Sequence, residues 1–257
     1  MTSGLRQKKM KCKAMSKYFM DCEFLEGKQD KRFLGIKYGE TKPTIDLISI
    51  GLVCENGNKF YAISKDFNLK EAWNRYDLLE ANTNKNHSLN DVRVYWIREN
   101  VLRPIWLEYI GGIHKEELYP FTYKNMKNII EKNGKSKREI ANDICAFIYG
   151  DDCGGSGEGA IEMAMKYEIS DKSLEPEFYA YYASYDWVAF CWIFGKMIQL
   201  PKGFPMYCKD LKQIMDDNGL GKEWKRINCP DPIGEHNALV DAKWNLKLFN
   251  ALNRVKG

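Results

Sequence analysis

Histidine is scarce in this chain, with three in 257 residues, and none of the eight cysteines forms a C-x-x-C pair. A zinc hydrolase needs clustered nitrogen or sulfur ligands, so both absences argue against one. Cys12, Cys22, Cys54, Cys145, Cys153, Cys191, Cys208 and Cys229 are scattered, several within apolar runs, which suits reduced, buried thiols in a cytoplasm better than disulfides. Long apolar stretches are also missing. The longest, Trp187 to Phe194, falls far short of the roughly 20 residues a membrane helix requires. The first twenty residues hold no acid but carry Arg6, Lys8, Lys9, Lys11, Lys13 and Lys17. Without an apolar core this is no secretory signal, and it reads as a solvated basic tail in preference to a transit peptide.

What is present is ordinary for a soluble globular protein: 44% hydrophobic and 29% charged residues exclude disorder. The net charge of +4 is a weak pointer to an anionic partner. Its distribution says more, with cations grouped in the N-terminal tail, at Lys124 to Arg138 and at Lys222-Lys225-Arg226, where each group could meet phosphates or simply be solvated.

Hydrophobic periodicity predicts an α/β order. Lys17 to Phe24 and Thr44 to Cys54 read as strands, and Lys59 to Ser64 as a third after the hairpin signal Glu55-Asn56-Gly57-Asn58. Three antiparallel strands therefore open the fold, with Leu25 to Pro43 projecting as a flexible arm. Asp66 to Leu118 gives no clear assignment apart from a polar loop at 81–91. Ser136 to Tyr149 reads as a helix with Ser136 as N-cap, and 150–159 as a glycine-rich loop lacking the Lys-Ser/Thr ending of a phosphate-cradling loop. Glu177 to Tyr185 reads as a buried strand, Trp187 to Ile198 as a buried helix, Cys208 to Asp217 as a short helix and Asn237 to Leu252 as an amphipathic one. The chain is read as a tail over 1–16 and one elaborated domain over 17–257, without internal repeats.

Against this pattern, four acids and one imidazole stand where a core would want apolar groups. Strand residues two apart share a face, so Asp21 and Glu23 project together. Two such carboxylates on a central strand repel and lose hydration, and a divalent cation removes both penalties. On an edge strand both would simply be solvated. Asp186, between a buried strand and a buried helix, could cap the helix or face a ligand at the strand's carboxyl end. His236 and Asp241 are five apart, about 140° on a helix, so His236 is placed in the preceding loop, Asn237 at the cap and Asp241 in the first turns.

Asp-x-Glu on a first strand, an Asp opening a helix and His-x-x-x-x-Asp on a last helix resemble the DEDDh branch of the 3′-to-5′ exonucleases. Thr44 to Gly51, Glu177 to Phe190 and Glu235 to Ala242 look like the ribonuclease T-like, ribonuclease AS-type exoribonucleases. The resemblance implies a ribonuclease H-like fold: a mixed five-stranded sheet, three antiparallel strands then parallel ones, flanked by helices. Segments near 25–43, 76–126 and 150–175 look like insertions. It also implies two Mg²⁺ ions, with Mn²⁺ as substitute. Asp21 would bridge them, Glu23 and Asp241 would complete one site, and Asp186 would hold the second ion, while His236 takes the proton of the attacking water. Phe24, Tyr185 and Trp187 are candidates for stacking on the terminal base, although the core is the commoner place for each.

The expected activity is release of nucleoside 5′-monophosphates from single-stranded RNA, with a preference for adenylate implied by the group. The alternatives are the same reaction on DNA and a non-catalytic nucleic-acid-binding module on the same fold. The resemblance further implies a homodimer, whose interface the insertions could block or replace.

Overall fold

The computed structural model describes residues 16–79, 92–149 and 175–255. The basic tail up to residue 15, the loop at 81–91 and the glycine-rich segment at 150–159 lie outside the described residues. The elements, in order, are β1 (Lys17–Gly27), β2 (Asp30–Phe33), β3 (Ile36–Glu40), β4 (Thr44–Cys54), β5 (Lys59–Ile63) and α1 (Leu69–Asn74). Then come β6 (Asp77–Leu79), β7 (Val92–Val94), a π-helical turn (Arg98–Leu102) running into α2 (Arg103–Ile110), α3 (Tyr123–Asn133) and α4 (Lys137–Tyr149). The chain closes with β8 (Glu177–Ala180), α5 (Ser184–Ile193), β9 (Lys209–Asp210), α6 (Leu211–Asp217), α7 (Lys222–Asn228) and α8 (Ala238–Val255).

Five strands form one mixed sheet in the order β5-β4-β1-β8-β9. β1, β4 and β5 are antiparallel neighbours, whereas β8 and β9 join in parallel. Helices flank this sheet, an arrangement compatible with a ribonuclease H-like fold. Both of its faces are buried, which explains why β4 reads as a nearly continuous apolar run. On one face Met20, Cys22, Ile50 and Leu52 pack with Ile140 and Ile144 of α4 and Phe190 of α5. On the other, Phe19 packs with Leu248 and Leu252 of α8. Beyond Glu23 the register shifts by a bulge, and Leu25 and Ile48 join Trp106 and Met126 in a separate cluster under α2 and α3.

Four segments differ from expectation. The strand at Glu177 stops at Ala180, because Tyr182 takes a left-handed φ of 56° and the N–H groups of Tyr182 and Ala183 both donate to the Asp210 carboxylate. Helix α5 therefore starts at Ser184 and ends at Ile193, so its N-cap is Ala183 and Asp186 lies in the first turn. At Cys208 to Asp217, Lys209 and Asp210 belong to a strand, and Asp210 caps α6 by accepting from the Lys212 N–H. The expected flexible arm is a two-stranded hairpin, β2 with β3, tied at its base.

Candidate functional site

The site begins with β1 at the centre of the sheet. Asp21 and Glu23 project from the face that α8 covers. Opposite Asp21 in the register is Gly51 of β4. A Cβ at Gly51 would lie 2.3 Å from the Ala238 carbonyl oxygen, so only glycine lets the first turn of α8 rest on the strands. That close approach delivers Asp241. Carboxylate oxygens of Asp21, Glu23 and Asp241 all lie within 4.8 Å of one another.

Asp186 and Asn245 enter where the sheet opens. β8 pairs with β1 only as far as Phe19, so the outward-facing groups of Met20 and Cys22 lack a strand partner. Side chains replace it: the Asp186 Oδ1 accepts from the Cys22 N–H at 2.8 Å, and the Asn245 amide donates to the Met20 carbonyl at 2.9 Å. Asp186 thus lies in the same cleft as Asp21 but outside the group of three carboxylates. Among the described residues, the buried Asn245 Oδ1 has no hydrogen-bond partner.

His236 sits in the loop before α8, with a φ of 67°. Its backbone N–H donates to the Asp241 Oδ2 at 2.9 Å, while Asn237 caps the helix through the N–H groups of Leu239 and Val240. The imidazole meets the Trp96 ring edge-on, 4.7 Å between centroids. Imidazole and carboxylates therefore line one cleft of about 610 Å³.

Burial acts on every acid, and repulsion within the set adds to it at Asp21, Glu23 and Asp186. Burial pushes Asp21 well above the usual carboxylate range, with Asp186, Glu23 and Asp241 adding to it. Burial, then Asp241 and Asp186, raise Glu23 to about 8. Burial also raises Asp186 to about 7, against the hydrogen bond from Cys22, and Asp241 to about 6, against the one from His236. Four acids that resist ionisation together, with only oxygen donors among them, form a set that fits a hard divalent cation.

Phe24 and Tyr185 line the cleft and touch edge-to-face at 5.9 Å. Trp187 does not line it: it is buried, stacked on Phe190, with its indole N–H donating to the Met206 carbonyl. Sequence reasoning missed Gly51, Asp210, Asn245, Trp96 and Tyr182. Tyr182 is exposed at the cleft beside Tyr185, and Asp210 holds its backbone. Only Gly51 carried a local signal, as a lone glycine inside an apolar strand.

No family model matches the chain. Two curated proteins named 3′-5′ exoribonuclease, from Mycobacterium tuberculosis strains CDC 1551 / Oshkosh and ATCC 25618 / H37Rv, are each 25% identical to it over 236 residues. Each match spans 92% of this chain and 92% of the relative.

Proposed function

We propose that the protein is a metal-dependent 3′-to-5′ exoribonuclease of the DEDDh type. What carries the reading is the convergence of Asp21, Glu23 and Asp241 within 4.8 Å, next to an imidazole tethered through its own backbone to one of them. The near full-length similarity to two proteins named as 3′-5′ exoribonucleases supports it.

Asp21, Glu23 and Asp241, with Asp186 beside them, would hold Mg²⁺ or Mn²⁺. When bound, such ions neutralise the acids, acidify water and stabilise the leaving oxygen. The chain's own groups do the rest. His236 takes the proton of the water that attacks the terminal phosphodiester. The bond from phosphorus to the 3′-oxygen breaks, so the released nucleotide keeps the phosphate at its 5′ position and the shortened strand gains a 3′-hydroxyl. Phe24, Tyr185 and Tyr182 flank the acids and offer ring faces to an unpaired terminal base. Asp210, by holding the turn at Tyr182, acts as a positioning residue.

A time course on 5′-labelled RNA and DNA homopolymers with Mg²⁺ tests polarity, sugar and base preference together. The expected result is a ladder shortening from the 3′ end of RNA. Preferential degradation of DNA would move the assignment to a deoxyribonuclease, and binding without any mononucleotide would leave only a binding module.

A further inference from the structure

The β2–β3 hairpin has two unlike faces. On one, Asp30 bonds Arg32 at 2.6 Å and Lys37 at 2.7 Å, Lys37 meets Glu40 at 2.9 Å, and Lys28 reaches Glu40 at 3.5 Å. This face satisfies its own charges. The other carries Phe33 and its cross-strand partner Ile36, with Lys31 two residues before Phe33 and Tyr38 at the bulge. Phe33, Ile36 and Tyr38 are 71%, 73% and 69% exposed, and Leu34 at the tip is 87% exposed. The two-residue turn has positive φ at both Leu34 (48°) and Gly35 (84°). Asparagine suits the first of these positions far better than leucine, so an exposed leucine there is unfavourable in both backbone and hydration. Folding alone gives no reason for this face.

The base of the hairpin is fixed. Arg75 donates to the carbonyls of Glu26 and Lys28, the latter at 2.7 Å, and the Gln29 side chain donates to Asp46. Gln29 and Thr41 also exchange bonds of 2.9 and 3.0 Å across the stem. The strand that feeds the hairpin is β1, which carries Asp21 and Glu23 and places Phe24 in the cleft wall. Ten residues separate Glu23 from Phe33, a span of at most about 35 Å. At about 3.4 Å per stacked nucleotide this is at most roughly ten nucleotides. Between Lys28 and Lys42, five cations accompany two acids, a net charge of +3. A second copy would set that charge against its like, whereas a nucleic acid strand carries the complementary one.

We propose that the apolar face of this hairpin is a second binding site for the single strand whose 3′ end enters the cleft. Phe33 and Tyr38 stack on upstream bases, Leu34 and Ile36 wedge beside them as apolar side chains do between base steps, and neighbouring cations meet phosphates. The identity of this ligand rests on the exoribonuclease reading. The site itself lies outside the catalytic cleft and serves only substrates long enough to reach it.

The test uses the full chain, fluorescent RNA of twenty and of three nucleotides, and anisotropy in chelator so that nothing is cleaved. The double variant Phe33→Ala/Tyr38→Ala should weaken binding of the 20-mer by about tenfold or more, since each base–aromatic stack is worth that order. Leu34→Asn, which suits the turn, should fold as well as the parent and also bind the 20-mer more weakly. Both variants should sediment as the parent does and, with Mg²⁺, cleave the trinucleotide at the parent's rate. Unchanged 20-mer affinity in both variants would overturn the proposal. So would a changed assembly state with unchanged RNA affinity, which would assign the face to a second copy. If the parent releases no mononucleotide from the trinucleotide, the catalytic reading fails, while the binding comparison in chelator still decides on the hairpin.

Discussion

Asp21, Glu23, Asp186 and Asp241 are held together against their own repulsion, and that fixes how pH should act. Their folded-state values are all raised from ordinary values near 4, Asp241 to about 6, Asp186 to about 7, Glu23 to about 8, and Asp21 well above the usual carboxylate range. Across that window the native state retains protons that the unfolded chain has released. The contribution of these four acids to stability without metal is therefore fullest below about pH 4 and declines as pH rises toward about 8. Divalent cations should offset this decline, so the difference in Tm between Mg²⁺ and chelator should widen from pH 5 to pH 8. A difference that stays constant with pH would contradict the electrostatic account. Asp21→Asn keeps the shape but cannot ionise, so its Tm in chelator should decline less than the parent's as pH rises, while mononucleotide release falls to background. For His236→Ala, kcat should fall by about 10²- to 10⁴-fold, the usual worth of a general base, with the Mn²⁺-induced thermal shift retained. A lost thermal shift would make His236 a metal ligand instead of a base.

Among the elements, α8 matters most to the site, and Gly51 sets its height above the sheet. Gly51→Ala would place a methyl group against the Ala238 carbonyl, backbone that cannot swing aside. The expected cost is about 1–3 kcal/mol, with activity falling further than stability because Asp241 moves with the helix. Calorimetry beside a turnover assay measures both. Helix α4 begins with a reciprocal cap: the Ser136 Oγ accepts from the Glu139 N–H at 3.3 Å, and Glu139 accepts from the Ser136 N–H at 2.6 Å. Ser136→Ala should cost about 1 kcal/mol, read as a shift in the denaturant midpoint. This cap was legible in sequence because its signals lie three residues apart. The end of β8 was not. Tyr181 to Tyr185 have strong strand propensity, yet Asp210, twenty-eight residues beyond Tyr182, draws that backbone into a left-handed turn. The π-helical turn at Arg98–Leu102, which has no side-chain cap, was equally hidden, and with it the contact of Trp96 on His236.

At the scale of the whole molecule, the fold class read from the sequence is the one observed, because β1, β4, β5, α4 and α8 each combine clear periodicity with local start signals. The candidate site was legible as residue types and spacings, since acids on a buried strand conflict with the pattern around them. Its supports were not, beyond the lone glycine in β4. Gly51, Asn245 and Asp210 act through partners distant in sequence, and nothing local distinguishes an amide that replaces a missing strand from one facing solvent. The relatives named 3′-5′ exoribonuclease align over 92% of this chain, so the similarity is not confined to one segment. The most direct test measures nucleoside 5′-monophosphate release from 5′-labelled single-stranded RNA by the parent and by Asp241→Asn, each with Mg²⁺ and with chelator. The account predicts stepwise 3′ shortening by the parent with Mg²⁺ alone, and none by the variant. Shortening by Asp241→Asn at the parent's rate, or by the parent in chelator, would contradict it.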